Sequence, residues 1–146
     1  MPERKIAYDR ISIQKDVGLL LTAPSYERLF IDTALASTDF RFPLELIETA
    51  AQKRIEVKAK SLAELMAIWL QAVFALSQQD KFLPKRIVFE KFDGTSIKAS
   101  LHGEKHNALK HGGNDSVTAV VCEGIRLGEA KLPESGFTVQ VQYRAR

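Results

Sequence analysis

The sequence predicts a two-layer α+β fold, with two helices packed on one face of a largely antiparallel β-sheet in the order βαβαββββ. Three observations predict it. Residues 61–74 carry a capped, unbroken apolar stripe of helical period. Residues 54–60 and 136–144 alternate apolar and polar as half-buried strands do. Residues 85–103 form two such runs around Asp93-Gly94, the pattern of a hairpin. Period 3.6 marks a helix with one buried face, and period 2 a strand with one buried face.

The 146 residues fit one domain, 1–146. A chain of this size buries roughly two-thirds of the surface it exposes when unfolded, enough for a core without staples. Hydrophobic residues make up 45% and charged residues 27%, an ordinary globular balance. No apolar stretch approaches the ~20 residues of a membrane span. The opening MPERKIAYDR lacks the apolar core of a secretory signal. The single cysteine, Cys122, rules out an internal disulfide and a cysteine-rich zinc site. These features predict a cytoplasmic protein. The formal net charge of +3 is mildly basic, compatible with RNA but weaker than a dedicated nucleic-acid binder shows.

Element by element, residues 11–22 (ISIQKDVGLLLT) predict a first strand, with Gly18 marking a bulge. Ser25 is a natural N-cap for a helix carrying Tyr26, Leu29, Phe30, Thr33, Ala34 and Ser37 on one face. Residues 39–50 have apolar side chains without a period, and Pro43 argues against an uninterrupted helix, so a packed loop ending in a helical turn is expected. In the next strand Ile55, Val57 and Ala59 point to one side. Ser61 and Glu64 then form a capping box, and Leu62, Leu65, Met66, Trp69, Leu70, Val73 and Phe74 form the stripe.

The hairpin register can be argued. A three-residue loop, Asp93-Gly94-Thr95, places Ile97 and Ala99 opposite Lys91 and Phe89 and pairs Ile87 with Leu101. That gathers more apolar residues on one face than a two-residue turn would. Residues 103–116 are polar and glycine-bearing and predict an exposed loop. Strands follow at 117–127, apolar on both faces at its start and so expected to be central, and at 136–144.

No complete catalytic set stands out, so an accessory or binding protein is expected and not an enzyme. The phosphate-binding, dinucleotide-binding and G-x-S-x-G patterns are absent. His102, His106 and His111 lie close in sequence but read as solvent-exposed polar residues. Cys122, in an apolar strand, reads as an inert packed thiol. Asp16 stands in an apolar strand region. There a carboxylate is either turned outward or held by a partner or a metal.

The second half resembles the archease family. The segments that carry this are Ser61–Phe74, Gly103–His111, Val117–Leu127 and Gly136–Arg144, with Trp69-Leu70, Gly103-Glu104, Lys110-His111 and Ala119-Val120 matching in order. Asp16-Val17-Gly18 followed by Leu29-Phe30 resembles the family's H-T-A-D strand and first helix. The resemblance implies an archease-like fold and an accessory role. Archeases promote activation and turnover of the guanylylating RNA ligase of tRNA splicing, and bind a calcium-like divalent cation through acidic residues near the first strand and the C-terminus. It therefore points to Asp16 as a metal ligand, with RNA met indirectly. Glu104, Lys105, Lys110 and His111 are the expected partner-binding residues, because they are polar loop positions left over once the core is assigned.

Departures from the family pattern are equally visible. Gln14 and Lys15 replace the neighbours of the aspartate, Ser61 and Asn107 stand where acids are common, and Thr118 replaces a lysine. Arg144 takes the place of the near-terminal aspartate. A guanidinium there would compete with a cation, so weak or lost calcium binding is expected. A second reading keeps the fold alone, as a protein- or RNA-binding module. A third, a hydrolase or transferase using Asp16 with a loop histidine, has no nameable set of nucleophile, base and orienting group.

Overall fold

The structure is a computed structural model that describes residues 9–13, 16–39, 41–107, 110, 117–129 and 137–145, with side chains at 21, 23–39, 41–107 and 110. In order, the elements are β1 (Asp9–Ile13), β2 (Asp16–Ala23), α1 (Tyr26–Asp39), a 3-10 turn (Leu44–Leu46), β3 (Ala51–Lys58), α2 (Leu62–Gln79), β4 (Phe82–Phe92), β5 (Ser96–Lys105), β6 (Val117–Glu129) and β7 (Phe137–Ala145). Every strand pairing among the described residues is antiparallel.

Several expectations need correction, among them the bulge at Gly18, where both ladders run on without a shift. The strand expected over 11–22 is two strands, β1 and β2, paired with Ile13 opposite Asp16. The strands form two sheets, β1-β2-β7-β6 and β3-β5-β4, and not one. The strand beginning at Val117 is an end strand of its sheet and not a central one. It lies alongside α2, so an apolar run there has cover that a position in the middle of a sheet would otherwise supply.

The helices form as the caps dictate. The Ser25 hydroxyl accepts the Arg28 N–H at 3.1 Å, and the Ser61 hydroxyl accepts the Glu64 N–H at 3.2 Å. On α1 two buried hydroxyls are satisfied locally: Thr33 donates to the Leu29 carbonyl and Ser37 to the Thr33 carbonyl. Between the helices and the sheets lies the main core, built on Leu29, Phe30, Leu65, Met66, Trp69, Ile97 and Leu101. Trp69 is fully buried and its indole N–H donates to the Phe30 carbonyl at 2.9 Å, so one side chain ties α2 to α1. Its ring meets Phe89 edge-on, with centroids 5.2 Å apart.

The hairpin loop is residues 93–95, as expected, with Ile87 opposite Leu101 and Phe89 opposite Ala99. The register then shifts between Phe89 and Lys91, and Ile97 faces Phe92 instead of Lys91. Glu90 is the extra residue, a β-bulge. Strict alternation would turn Phe92 outward. The bulge brings it to the inner side, stacked on Phe89 with centroids 5.6 Å apart and edge-on to Phe30 at 5.1 Å. The turn is held by Asp93, whose Oδ1 accepts the N–H groups of Thr95 and Ser96 at 3.0 and 2.7 Å.

Residues Gly103, Glu104 and Lys105, expected in a loop, complete β5. Gly103 is buried against β4, and a Cβ built there would fall 1.9 Å from the Leu83 carbonyl oxygen. The glycine is a site of close backbone approach and not a loop signal. Among the described residues, no helix is long and apolar enough to cross a membrane.

Candidate functional site

The C-terminal end of β5 gathers the described members of the partner-binding set. Glu104 is the centre. Lys110 donates from Nζ to its carboxylate at 2.7 Å and reaches Glu48 Oε1 at 3.1 Å. The Glu104 carboxylate also accepts the Glu48 backbone N–H at 2.8 Å. Its side chain is only 12% exposed, while that of Glu48 is 74% exposed. The three residues form a staple that fastens the segment after β5 to the chain leading into β3. The carboxylate of Glu104, then that of Glu48, holds the Lys110 ammonium above the ordinary lysine range.

Glu48 belongs to this cluster and was absent from the sequence reading. It lies 56 residues before Glu104, and no local pattern links them. The same end holds a secondary core of Phe42, Ile47 and Leu83. His106 packs its ring on Phe42 with centroids 4.6 Å apart, and its backbone N–H donates to the Lys81 carbonyl. His106 and His102 are thus half-buried and not the freely solvated residues expected. A shallow groove of about 410 Å³ runs beside the staple, lined by Glu45, Ile47, Glu48, Thr49, Ala50 and Lys85. Lys105 is exposed, opposite Phe82 in the ladder. His111 and the side chains of Asp16, Cys122 and Arg144 lie outside what the structure describes.

The strand register nevertheless relates Asp16 to Arg144. Val17 pairs with Tyr143, so the next position outward along both strands is Asp16 on β2 and Arg144 on β7. A hard divalent cation takes six to eight oxygen ligands, usually with more than one carboxylate. The neighbouring strand offers a guanidinium at that level, a poor fit to such a cation. Among the described residues, no group of three or more His, Cys, Asp or Glu side chains could hold a metal. The described residues of this end offer a stapled strand end, an exposed lysine and a shallow groove.

Comparison with known proteins agrees with this architecture. The solution structure of Methanobacterium thermoautotrophicum protein 1598 superposes with a TM-score of 0.71 at 19% identity, covering 93% of this chain and 95% of that one. The crystal structure of an archease from Thermotoga maritima, described as a possible chaperone, gives 0.58 at 14% identity, covering 99% and 98%. At such identities these likenesses establish the fold. The protein archease of Pyrobaculum neutrophilum is 25% identical over 131 residues, 88% of this chain and 86% of the relative. That of Pyrobaculum calidifontis is 30% identical over 89 residues, 59% and 60%. The model of the Archease protein family (MTH1598/TM1083) matches residues 8–141, and with that span covered the chain belongs to the archease family.

Proposed function

We propose that this protein is an accessory factor for a guanylylating RNA ligase of the tRNA-splicing type, acting by protein contact and not by delivering a metal ion. The observation that carries the second half of this reading is the register that sets Arg144 beside Asp16. A cation at the position where the family resemblance implies an acid weakens a calcium site and leaves the scaffold intact. Family membership supports the first half.

On this reading Asp16 is the remaining ligand of a reduced cation site, and the end of β5 offers the contact surface. Glu104 and Lys110 act there by shaping the segment, since they already hold each other. Lys105 is the residue with its charge open to a partner. His111 is assigned to the same surface by its place in the chain. The protein itself joins no RNA.

The test is direct binding of the purified ligase from the same organism. Lys105→Glu weakens association while the melting curve stays put. Lys110→Glu weakens association and also lowers Tm, because it breaks the staple. Ligase binding unaffected by Lys105→Glu would remove this surface from the interface. No ligase binding at all would favour the reading of a binding module that keeps only the fold. A thermal-shift titration addresses the metal: calcium has little effect on the parent protein, and Arg144→Asp gains a saturable rise in Tm.

A further inference from the structure

The outer face of the sheet β3-β5-β4 turns away from the helices, and its charge is one-sided. Ile97, Ala99 and Leu101 of β5 face the core, so Lys98, Ser100 and His102 face out. Their ladder partners on β3 are Glu56, Arg54 and Gln52. On β4 they are Lys91, Val88 and Arg86. Hydrogen bonds across the surface fix this orientation. Ser100 donates to Glu90, Gln52 donates to Ser100, and Arg54 donates to Glu90.

With Lys58 at the end of β3, the face carries five cations, Arg54, Lys58, Arg86, Lys91 and Lys98, against the two acids Glu56 and Glu90. The surplus of three equals the formal net charge of the whole chain, so all other Lys, Arg, Asp and Glu side chains cancel. Among the described residues, Arg86, Lys58 and Lys98 make no ion pair or side-chain hydrogen bond.

The bulge sharpens this surplus. Without it, the register that pairs Phe89 with Ala99 would set Glu90 opposite Lys98. With it, Lys91 stands opposite Lys98. Like charges directly across a ladder are destabilising. A bulge that inserts Phe92 into the core therefore also sets two lysines across the ladder on the outside; Lys91 reaches Asp93 at 3.6 Å, and Lys98 is left for an anionic partner.

We propose that this face is an RNA contact surface that binds the phosphate backbone without reading bases. Three features select that partner. The cations are spread over all three strands, Arg54 and Lys58 on β3, Lys98 on β5 and Arg86 and Lys91 on β4, a spread that several phosphates of one chain could span. No Phe, Tyr or Trp side chain lies on the face among its described residues, and its one ring, His102, is half-buried, so the face has no row of platforms for successive bases. Val88, 39% exposed, is its one large apolar side chain, whereas protein interfaces are centred on buried apolar and aromatic anchors with charge depleted. The proposal is independent of the ligase reading, because it concerns a different surface and a different partner.

The experiment measures fluorescence anisotropy of a labelled single-stranded oligoribonucleotide against the full chain over a series of salt concentrations. The double variant Arg86→Gln/Lys98→Gln should weaken binding and reduce the slope of log K against log salt by about 1.4, since each lost phosphate contact removes ~0.7 for a single strand. Arg28→Glu, on α1 beneath the other side of the sheet, should leave that slope unchanged, as should the melting curve in both variants. Three results would overturn the proposal: no RNA binding by the parent, an unchanged slope in the double variant, or an equal loss in Arg28→Glu. Poly-glutamate at matched charge displacing the RNA as well as unlabelled RNA does would overturn it too, by making the face a site for acidic protein. A ligase that still binds when the double variant has lost RNA would leave the accessory reading standing.

Discussion

The two faces of the three-stranded sheet come from the same strands and do opposite things. Inward, Ile87, Phe89, Phe92, Ile97, Ala99 and Leu101 pack under the helices around Trp69. Outward, one residue along, stand Arg54, Arg86, Lys91 and Lys98. Period-2 alternation divides one sequence into a face that specifies the fold and a face open to a partner. Changes on the inner face should therefore be read in stability, and changes on the outer face in binding.

The largest effect is expected inside. Trp69→Ala removes a fully buried ring and its hydrogen bond to Phe30, and should cost about 3–5 kcal/mol in denaturant unfolding. Trp69→Phe keeps most of the packing but leaves the Phe30 carbonyl without the indole donor, and should cost less, about 1–3 kcal/mol. Equal losses in the two variants would show that the hydrogen bond, and not the packing, dominates.

Gly103→Ala comes next, because the new Cβ would meet the β4 backbone at Leu83 and neither strand can swing aside without breaking the ladder. A cost of at least about 1–3 kcal/mol is expected, as for overpacking.

At the hairpin, Asp93→Ala should lower Tm. The Thr95 N–H, then the Ser96 hydroxyl and N–H, hold the Asp93 carboxyl far below the usual carboxylate range. A group depressed in this way contributes stability that is fully present above its unfolded pKa and is lost as pH falls through the folded one. The Tm gap between parent and variant should therefore be full at neutral pH and shrink only in strong acid. Lys110 has the opposite sign: raised by Glu104, its contribution is present through neutral pH and is lost only as the solution becomes strongly alkaline.

The smallest effect should be a gain. Lys81 follows the α2 C-cap with φ 57, a left-handed conformation that suits glycine. Lys81→Gly should stabilise by up to about 1 kcal/mol.

How much of this was legible follows from the same contrast. The inner face was readable because its signals are local: Ser25 and Ser61 cap helices, the Leu62–Phe74 stripe has one period, and Ile55 and Val57 alternate with charges. Signals that depend on a partner strand were not. Phe89 and Phe92 are three apart, which strict alternation cannot place on one side, and the bulge that reconciles them is visible only in the pairing. Gly103 looked like a loop residue because the Leu83 backbone that requires it is distant in sequence. Glu48 escaped for the same reason. The end of β1 at Ile13 escaped because the polar Gln14-Lys15-Asp16 is short and carries no Gly or Pro to mark a turn. At the candidate cation site, sequence supplied the residues Asp16 and Arg144, and the β2–β7 register supplied their adjacency.

A protein that keeps the archease scaffold and works through its surface should stimulate the ligase without a bound calcium ion. Multiple-turnover RNA joining by the ligase of the same organism, with and without the purified protein and with excess chelator reserved for divalent ions other than those the ligase itself requires, tests this most directly. Stimulation should persist at full strength under chelation. Stimulation that vanishes with the chelator and returns with calcium would contradict it.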